Sequence, residues 1–216
     1  MKRLLDVLQA NFPLEKKSVG EFAKIKVSGM NFTIEQYYAK GFGNVSMMRA
    51  KGFFGLMNMD TLILNPTECD APLFSYDRVL AMGNDTLMLE LFNTALQEND
   101  LASLSQVKKH YENLPEHDMG THWYSHIKYS ESAAKKGKKK LSGAFDEMAL
   151  EYFKAYIEIA KQSPSCNCVA KKEKASEYVE GLLSNGGPST DVFKKHYGEE
   201  KTAYLFRKIL FGTGEF

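Results

Sequence analysis

The chain has 216 residues, 28 basic against 27 acidic side chains, a formal net charge of +1, 44% hydrophobic and 25% charged residues. That length supports one substantial domain over 1–216, and the composition is that of a globular chain, which excludes a disordered or membrane-embedded one. A near-neutral balance argues against nucleic acid as the partner, and the three cysteines, being odd in number, give no disulfide framework.

Met1 to Ala10 starts basic but carries Asp6 inside a short apolar stretch, which predicts an amphipathic helix rather than a signal peptide, so a cytoplasmic protein is expected. Alternating apolar and polar residues then predict strands over Phe22–Val27, Asn31–Tyr38, Val45–Lys51 and Gly55–Leu64. Pro72–Met82 and Thr86–Phe92 flank a three-residue connection, Gly83-Asn84-Asp85, and read as a hairpin. Together these make an antiparallel meander. The longest apolar stretches are strand-sized and interrupted by Asn, Asp or Lys, so no membrane-spanning helix is expected.

Asp100 to Tyr111 reads as a helix and Thr121 to Tyr129 as a further strand. From Ser142 the period changes: Phe145, Met148, Ala149, Tyr152, Phe153, Tyr156, Ile157 and Ala160 recur at three- and four-residue steps, the stripe of an amphipathic helix. A second helix is predicted over Lys171–Leu183, ended by Asn185-Gly-Gly-Pro188. A last one runs from Thr190 or Glu199 to Phe211 with a break at Gly198. Strands followed and flanked by helices define an α+β fold, one antiparallel sheet with helices on its faces.

Asp77 is the informative residue. It lies in Pro72-Leu-Phe-Ser-Tyr-Asp77-Arg78-Val-Leu-Ala-Met82, where a carboxylate is costly to desolvate unless paired, hydrogen-bonded or protonated. Strand alternation places it with Leu73, Ser75, Val79 and Ala81 and turns Arg78 to the other side. In the preceding strand Asn58 and Asp60 share a face with Leu56, Leu62 and Leu64, and a short loop makes the two strands neighbours. If they pair, Asp60 and Asp77 approach across one face, and two close carboxylates resist joint ionisation, so one keeps a proton near neutrality. A proton donor in a cavity needs that property.

Other chemistry is thinly marked. Cys166-Asn-Cys168 lacks a second ligand pair, and His122 and His126 share a face of the expected strand without an HExxH arrangement, so no metal site is assigned. No GxGxxG, GxxxxGK[ST] or GxSxG pattern occurs, which leaves a nucleotide or flavin domain unsupported and makes any redox role depend on external electrons. The charges are segregated: seven carboxylates face two lysines between Asp85 and Asp118, while Lys128 to Lys140 holds six lysines against Glu131. The run Lys135–Lys140 reads as a solvated loop or a docking patch for an acidic protein.

Three segments together resemble the ferredoxin-dependent bilin reductases. The first is Met48-Arg49, Gly55-Leu-Met-Asn-Met-Asp-Thr-Leu-Ile-Leu-Asn-Pro66 and Ala71-Pro-Leu-Phe-Ser-Tyr-Asp77. The second is Trp123-Tyr-Ser125 with the helix Phe145–Tyr156. The third is Phe193-Lys-Lys-His-Tyr-Gly198-Glu-Glu200 with Tyr204–Phe211. The resemblance implies a three-layer α/β/α sandwich whose antiparallel sheet walls a pocket for a linear tetrapyrrole, the C-terminal helices forming the other wall. It implies no bound metal or flavin, single electrons from ferredoxin or flavodoxin, and protons from acidic side chains. Asp77 falls on the family's proton-donating Asp. Asp60, or Thr61 if the loop is one residue shorter, falls where members carry His or Asn. The expected substrate-binding side chains are Asn58, Ser75, Ser125 and Lys128. Two departures stand out: Ser75 replaces a Gly, and Gly187 precedes Pro188 where many members carry a second functional Asp. The alternative function is a tetrapyrrole carrier that keeps the pocket without catalysis.

Overall fold

The computed structural model describes residues 1–52 and 55–214. Helix α1 (Lys2–Asn11) leads into strands β1 (Leu14–Lys17), β2 (Lys24–Val27), β3 (Met30–Ala39), β4 (Gly43–Gly52), β5 (Met57–Pro66), β6 (Leu73–Ala81) and β7 (Asn84–Phe92). Helix α2 (Ala102–His110), strand β8 (Ala133–Lys138) and helices α3 (Ser142–Gln162), α4 (Cys168–Asn185) and α5 (Pro188–Tyr204) follow, and Leu205–Leu210 forms a closing π-helical turn. The strands make one antiparallel sheet in the order β1-β3-β4-β5-β6-β7-β8, with β2 also on β3.

Helices cover both faces, the expected α/β/α arrangement. On the first face α1 and α3 bury Leu4, Leu8, Phe145, Met148, Tyr152 and Phe153 against Leu62, Leu64, Phe74, Leu87 and Leu89. The heptad-like stripe predicted for α3 is this contact, and Phe74 stacks on Tyr156 with ring centroids 4.9 Å apart. On the second face Tyr178, Val179 and Leu183 of α4, Phe193 of α5 and the π-helical turn pack over Ile34, Met48, Ile63 and Leu73.

The last layer is pinned at one end of the sheet. A π-helical turn leaves carbonyls without helical partners, and polar side chains rising from the second face donate to them. Gln36 Nε2 donates to the Lys208 carbonyl (2.8 Å), Asn44 Nδ2 and Ser46 Oγ to that of Leu210 (3.0 and 2.7 Å), and Asn65 Nδ2 to that of Phe211 (2.6 Å). Toward the β6–β7 hairpin the cover thins, and Met59, Asp77, Val79 and Met88 are only partly buried. The expected break in α5 is present at Gly198, whose φ of 78° lies in the left-handed region.

Two expectations are corrected. Thr121–Tyr129 is not a strand: it is irregular chain with a 3-10 turn at Ser125–Ile127, and β8 lies further on at Ala133–Lys138. The aromatic run mimics strand propensity, but its rings fold inward onto α4. The lysine run is consequently no solvated loop at its start. Lys135 is fully buried on the first face, where its Nζ donates to the Leu114 carbonyl (3.1 Å) and pairs with Glu116 (2.5 Å).

Candidate active site

Five strands bring the site together through register. Met48 of β4, Thr61 of β5, Asp77 of β6, Met88 of β7 and Ala134 of β8 are successive cross-strand partners, hence one row on the second face. Arg78 points to the first face, as alternation requires, and forms a buried pair with Asp85, with Nε 2.5 Å from Oδ1 and Nη2 2.6 Å from Oδ2. No cation is therefore left beside Asp77 from its own strand.

The Asp77 carboxylate instead accepts two neutral hydrogen bonds, from Thr61 Oγ1 at 2.5 Å and from Ser75 Oγ at 2.8 Å. Burial pushes its pKa above the ordinary carboxylate value; the two hydroxyls oppose that without reversing it. Ser75, the departure from the resembled pattern, thus directly holds the acid.

Asp60 does not meet Asp77. It is the cross-strand partner of Arg78, whereas Thr61 is that of Asp77, so Asp60 lies on the opposite face, half-exposed, with Oδ1 3.8 Å from Arg49 Nε. The expected juxtaposition fails because side chains alternate and the register sets Thr61, one residue on, opposite Asp77. Asn58 goes with it: its amide donates to the Gly55 carbonyl (3.3 Å) on that same far face.

The second acid is Glu90. It pairs with Ser75 across β6–β7, which makes it a diagonal neighbour of Asp77 on the same face, and it is 7% exposed. Burial first and the Asp77 charge second raise its pKa, against the opposing pull of Lys128, whose Nζ lies 3.4 Å from Oε1. Lys128 is accordingly committed to Glu90. Ser125 Oγ accepts from the His122 backbone N–H (2.9 Å) and closes the turn that carries the aromatic residues.

Those aromatics roof the site. Tyr178 of α4 stacks on Phe92 at 4.3 Å, Tyr124 meets both edge-on, and Trp123 lies 5.9 Å from Tyr178. Burial, then the charges of Glu90 and Asp77, push the Tyr124 phenol up to about 12. Trp123 depends on Gly181, where a Cβ would come within 2.1 Å of its ring, and Trp123 Nε1 is a buried donor with no protein partner.

Glu90 was hidden by the turn. A three-residue connection would set Glu90 opposite Arg78, but the turn is Met82-Gly83, with φ of 50° and 75°, and Ala81 pairs with Asn84. The shorter turn carries Glu90 onto the face of Asp77. The only sequence signal for the tighter turn was Gly83, since Met82 is not a residue that favours the left-handed region it adopts.

Asp191, near Gly187 and Pro188, is exposed in the first turn of α5 and supplies no acid to the site. Among the described residues no group of three or more His, Cys, Asp or Glu is placed to hold a metal ion, and no helix is long and apolar enough to cross a membrane.

The architecture has a known counterpart. Phytochromobilin synthase from tomato, solved in complex with biliverdin, superposes with a TM-score of 0.79 at 14% sequence identity, covering 98% of this chain and 82% of that one. The shared property at that identity is the fold, a helix-covered antiparallel sheet. No family model and no curated protein matches the sequence.

Proposed function

We propose that the protein binds a linear tetrapyrrole of the biliverdin type between the second face of the sheet and the aromatic roof of Trp123, Tyr124 and Tyr178, and reduces it with single electrons from ferredoxin or flavodoxin while Asp77 supplies the proton. One observation carries the reading: Asp77 is an acid on a partly covered sheet face, without a basic partner, held by two hydroxyls and biased toward its protonated form. Such a group donates a proton near neutral pH, and protonation makes a conjugated ligand easier to reduce. The resemblance of the three sequence segments and the fold shared with a biliverdin-bound protein favour the same ligand class.

The surroundings suit that ligand. Tyr124 and Trp123 are the partly exposed rings of the roof, seated on the buried Phe92–Tyr178 stack, and offer aromatic surface to a flat conjugated system, while the free Nε1 of Trp123 offers a hydrogen bond to a carbonyl or carboxylate. Lys136, Lys138, Lys139 and Lys140 are exposed, the first two on the Asp77 face of the edge strand β8, and form the docking patch proposed for an acidic electron donor. Asn58 and Asp60, on the far face, drop out of the proposed site.

Asp77→Asn keeps the shape and loses the acid. The expected result is biliverdin binding within twofold of the parent, followed by absorbance, and turnover with reduced ferredoxin slowed by about 100-fold or more. Undiminished turnover in that variant overturns the assignment. A carrier function is favoured by a single observation, that Gly187 precedes Pro188 and the nearby Asp191 is exposed, so the site has no acid from α5. Biliverdin binding with no spectral change upon addition of reduced ferredoxin would establish that reading instead.

A further inference from the structure

Glu90 is a buried acid on the reaction face that the proton transfer from Asp77 leaves unused. It sits where the sheet edge changes: β8 pairs with β7 only as far as Leu89 and Ala133, and beyond that point β7 is flanked by the segment 128–132. The Ser132 hydroxyl accepts from the Leu91 N–H (3.0 Å), and the Tyr129 N–H donates to the Leu91 carbonyl (3.0 Å). Between these elements lies a cavity of about 360 Å³ lined by Glu90, Lys128 and Ser132 on one side and Glu116, His117 and Asp118 on the other. Glu90 therefore stands between Asp77 and a space roomy enough for several waters and lined by ionisable groups.

We propose that Glu90 returns a proton to Asp77 after each transfer, drawing it from this cavity; the inference rests on Asp77 being the donor. The sequence balances. An electron arrives from the one-electron donor as the Asp77 O–H breaks and its proton bonds to the tetrapyrrole, leaving an Asp77 carboxylate. The Glu90 O–H then breaks and an O–H reforms on Asp77. Glu90, now a carboxylate stabilised by the Lys128 ammonium, takes up a hydrated proton that enters from bulk solvent through the cavity, so the net proton consumed is a solvent one.

Diagonal neighbours on a sheet face stand too far apart for direct contact by short side chains, and one water spans such a gap. The charged and titratable groups facing Glu90 are Asp77 from β6, Lys128 from the 128–132 segment, Tyr124 and Tyr178 from the aromatic roof, and, across the cavity, Glu116, His117 and Asp118. Both phenols are held neutral by burial, so beside the burial of Glu90 itself it is Asp77, raising, and Lys128, lowering, that set its proton affinity. A reduction that takes up more than one electron needs more than one proton, and a single isolated acid cannot deliver the second.

The test uses the full chain, biliverdin and reduced ferredoxin. In Glu90→Gln, biliverdin affinity and the first proton-coupled step in a rapid-mixing experiment should stay within twofold of the parent, while completion of turnover slows by about 100-fold. Glu90→Asp should recover part of the loss, and imidazole should accelerate Glu90→Ala by entering the cavity. Completion at the parental rate in Glu90→Gln, or equal slowing of the first and later steps, overturns the relay. A readout independent of turnover is the carboxyl infrared band of the ligand-free protein, in which Asp77→Asn should lower the titration midpoint of Glu90. An unchanged midpoint overturns the coupling. If Asp77→Asn reduces biliverdin normally, the donor assignment itself falls, whereas an inactive Asp77→Asn beside a normal Glu90→Gln removes the relay alone.

Discussion

At the scale of single residues, the properties of Asp77 come from what surrounds it rather than from its own chemistry. Burial drives it toward the neutral form, and the hydroxyls of Thr61 and Ser75 act in the other direction by donating to the carboxylate. Removing either donor, in Thr61→Val or Ser75→Ala, should raise the pKa further. In the proposed reaction the protonated acid is the active form and the rate falls as pH rises through that pKa, so the alkaline limb of the pH–rate profile should move to higher pH in each variant. A profile that stays in place or moves down would show that another group governs the limb. The position of Asp77 was readable from the sequence, since a lone carboxylate in an apolar alternation demands a reason. Its partner was not, because Asp60 and Glu90 are equally plausible until the strand register is known.

At the scale of elements, register was decided by a two-residue turn. Met82 adopts φ of 50° and is 86% exposed, so it strains the backbone and packs against little. Asn tolerates that region better and, followed by Gly, matches the preferred composition of such turns. Met82→Asn should therefore raise the unfolding free energy by about 0.5–1 kcal/mol in urea titration, with the same slope against denaturant. A loss of stability would mean that Met82 contributes a contact the turn depends on. The same local blindness explains the other misread elements. Leu14-Glu-Lys-Lys17 and Ala133-Ala-Lys-Lys-Gly-Lys138 are strands with almost no apolar alternation; they form because β3 and β7 offer unpaired edges. The long α3 stripe and the β5–β6–β7 core were legible because their burial is written in periodicity, whereas edge strands are recruited by partners distant in sequence.

At the scale of the molecule, the two faces of the sheet differ in purpose. The first is closed by α1 and α3 over a continuous apolar core, while the second is fastened at one end by Asn44, Ser46 and Asn65 and left thin at the other, where the acids sit. The thin end carries a thermodynamic cost. Asp77 and Glu90 both titrate higher in the folded protein than in the unfolded chain, so over that interval the folded state binds more protons. The stability they contribute is complete below the unfolded carboxyl values of about 3.9 and 4.3 and is lost as pH rises through the folded ones. Asp77→Asn removes one such loss. The variant should be more resistant to urea than the parent at pH 7, the advantage shrinking as pH falls and disappearing below about pH 4. An advantage that instead grows toward acid would mean that the folded protein stabilises Asp77 as a carboxylate, which is incompatible with its storing a proton for transfer.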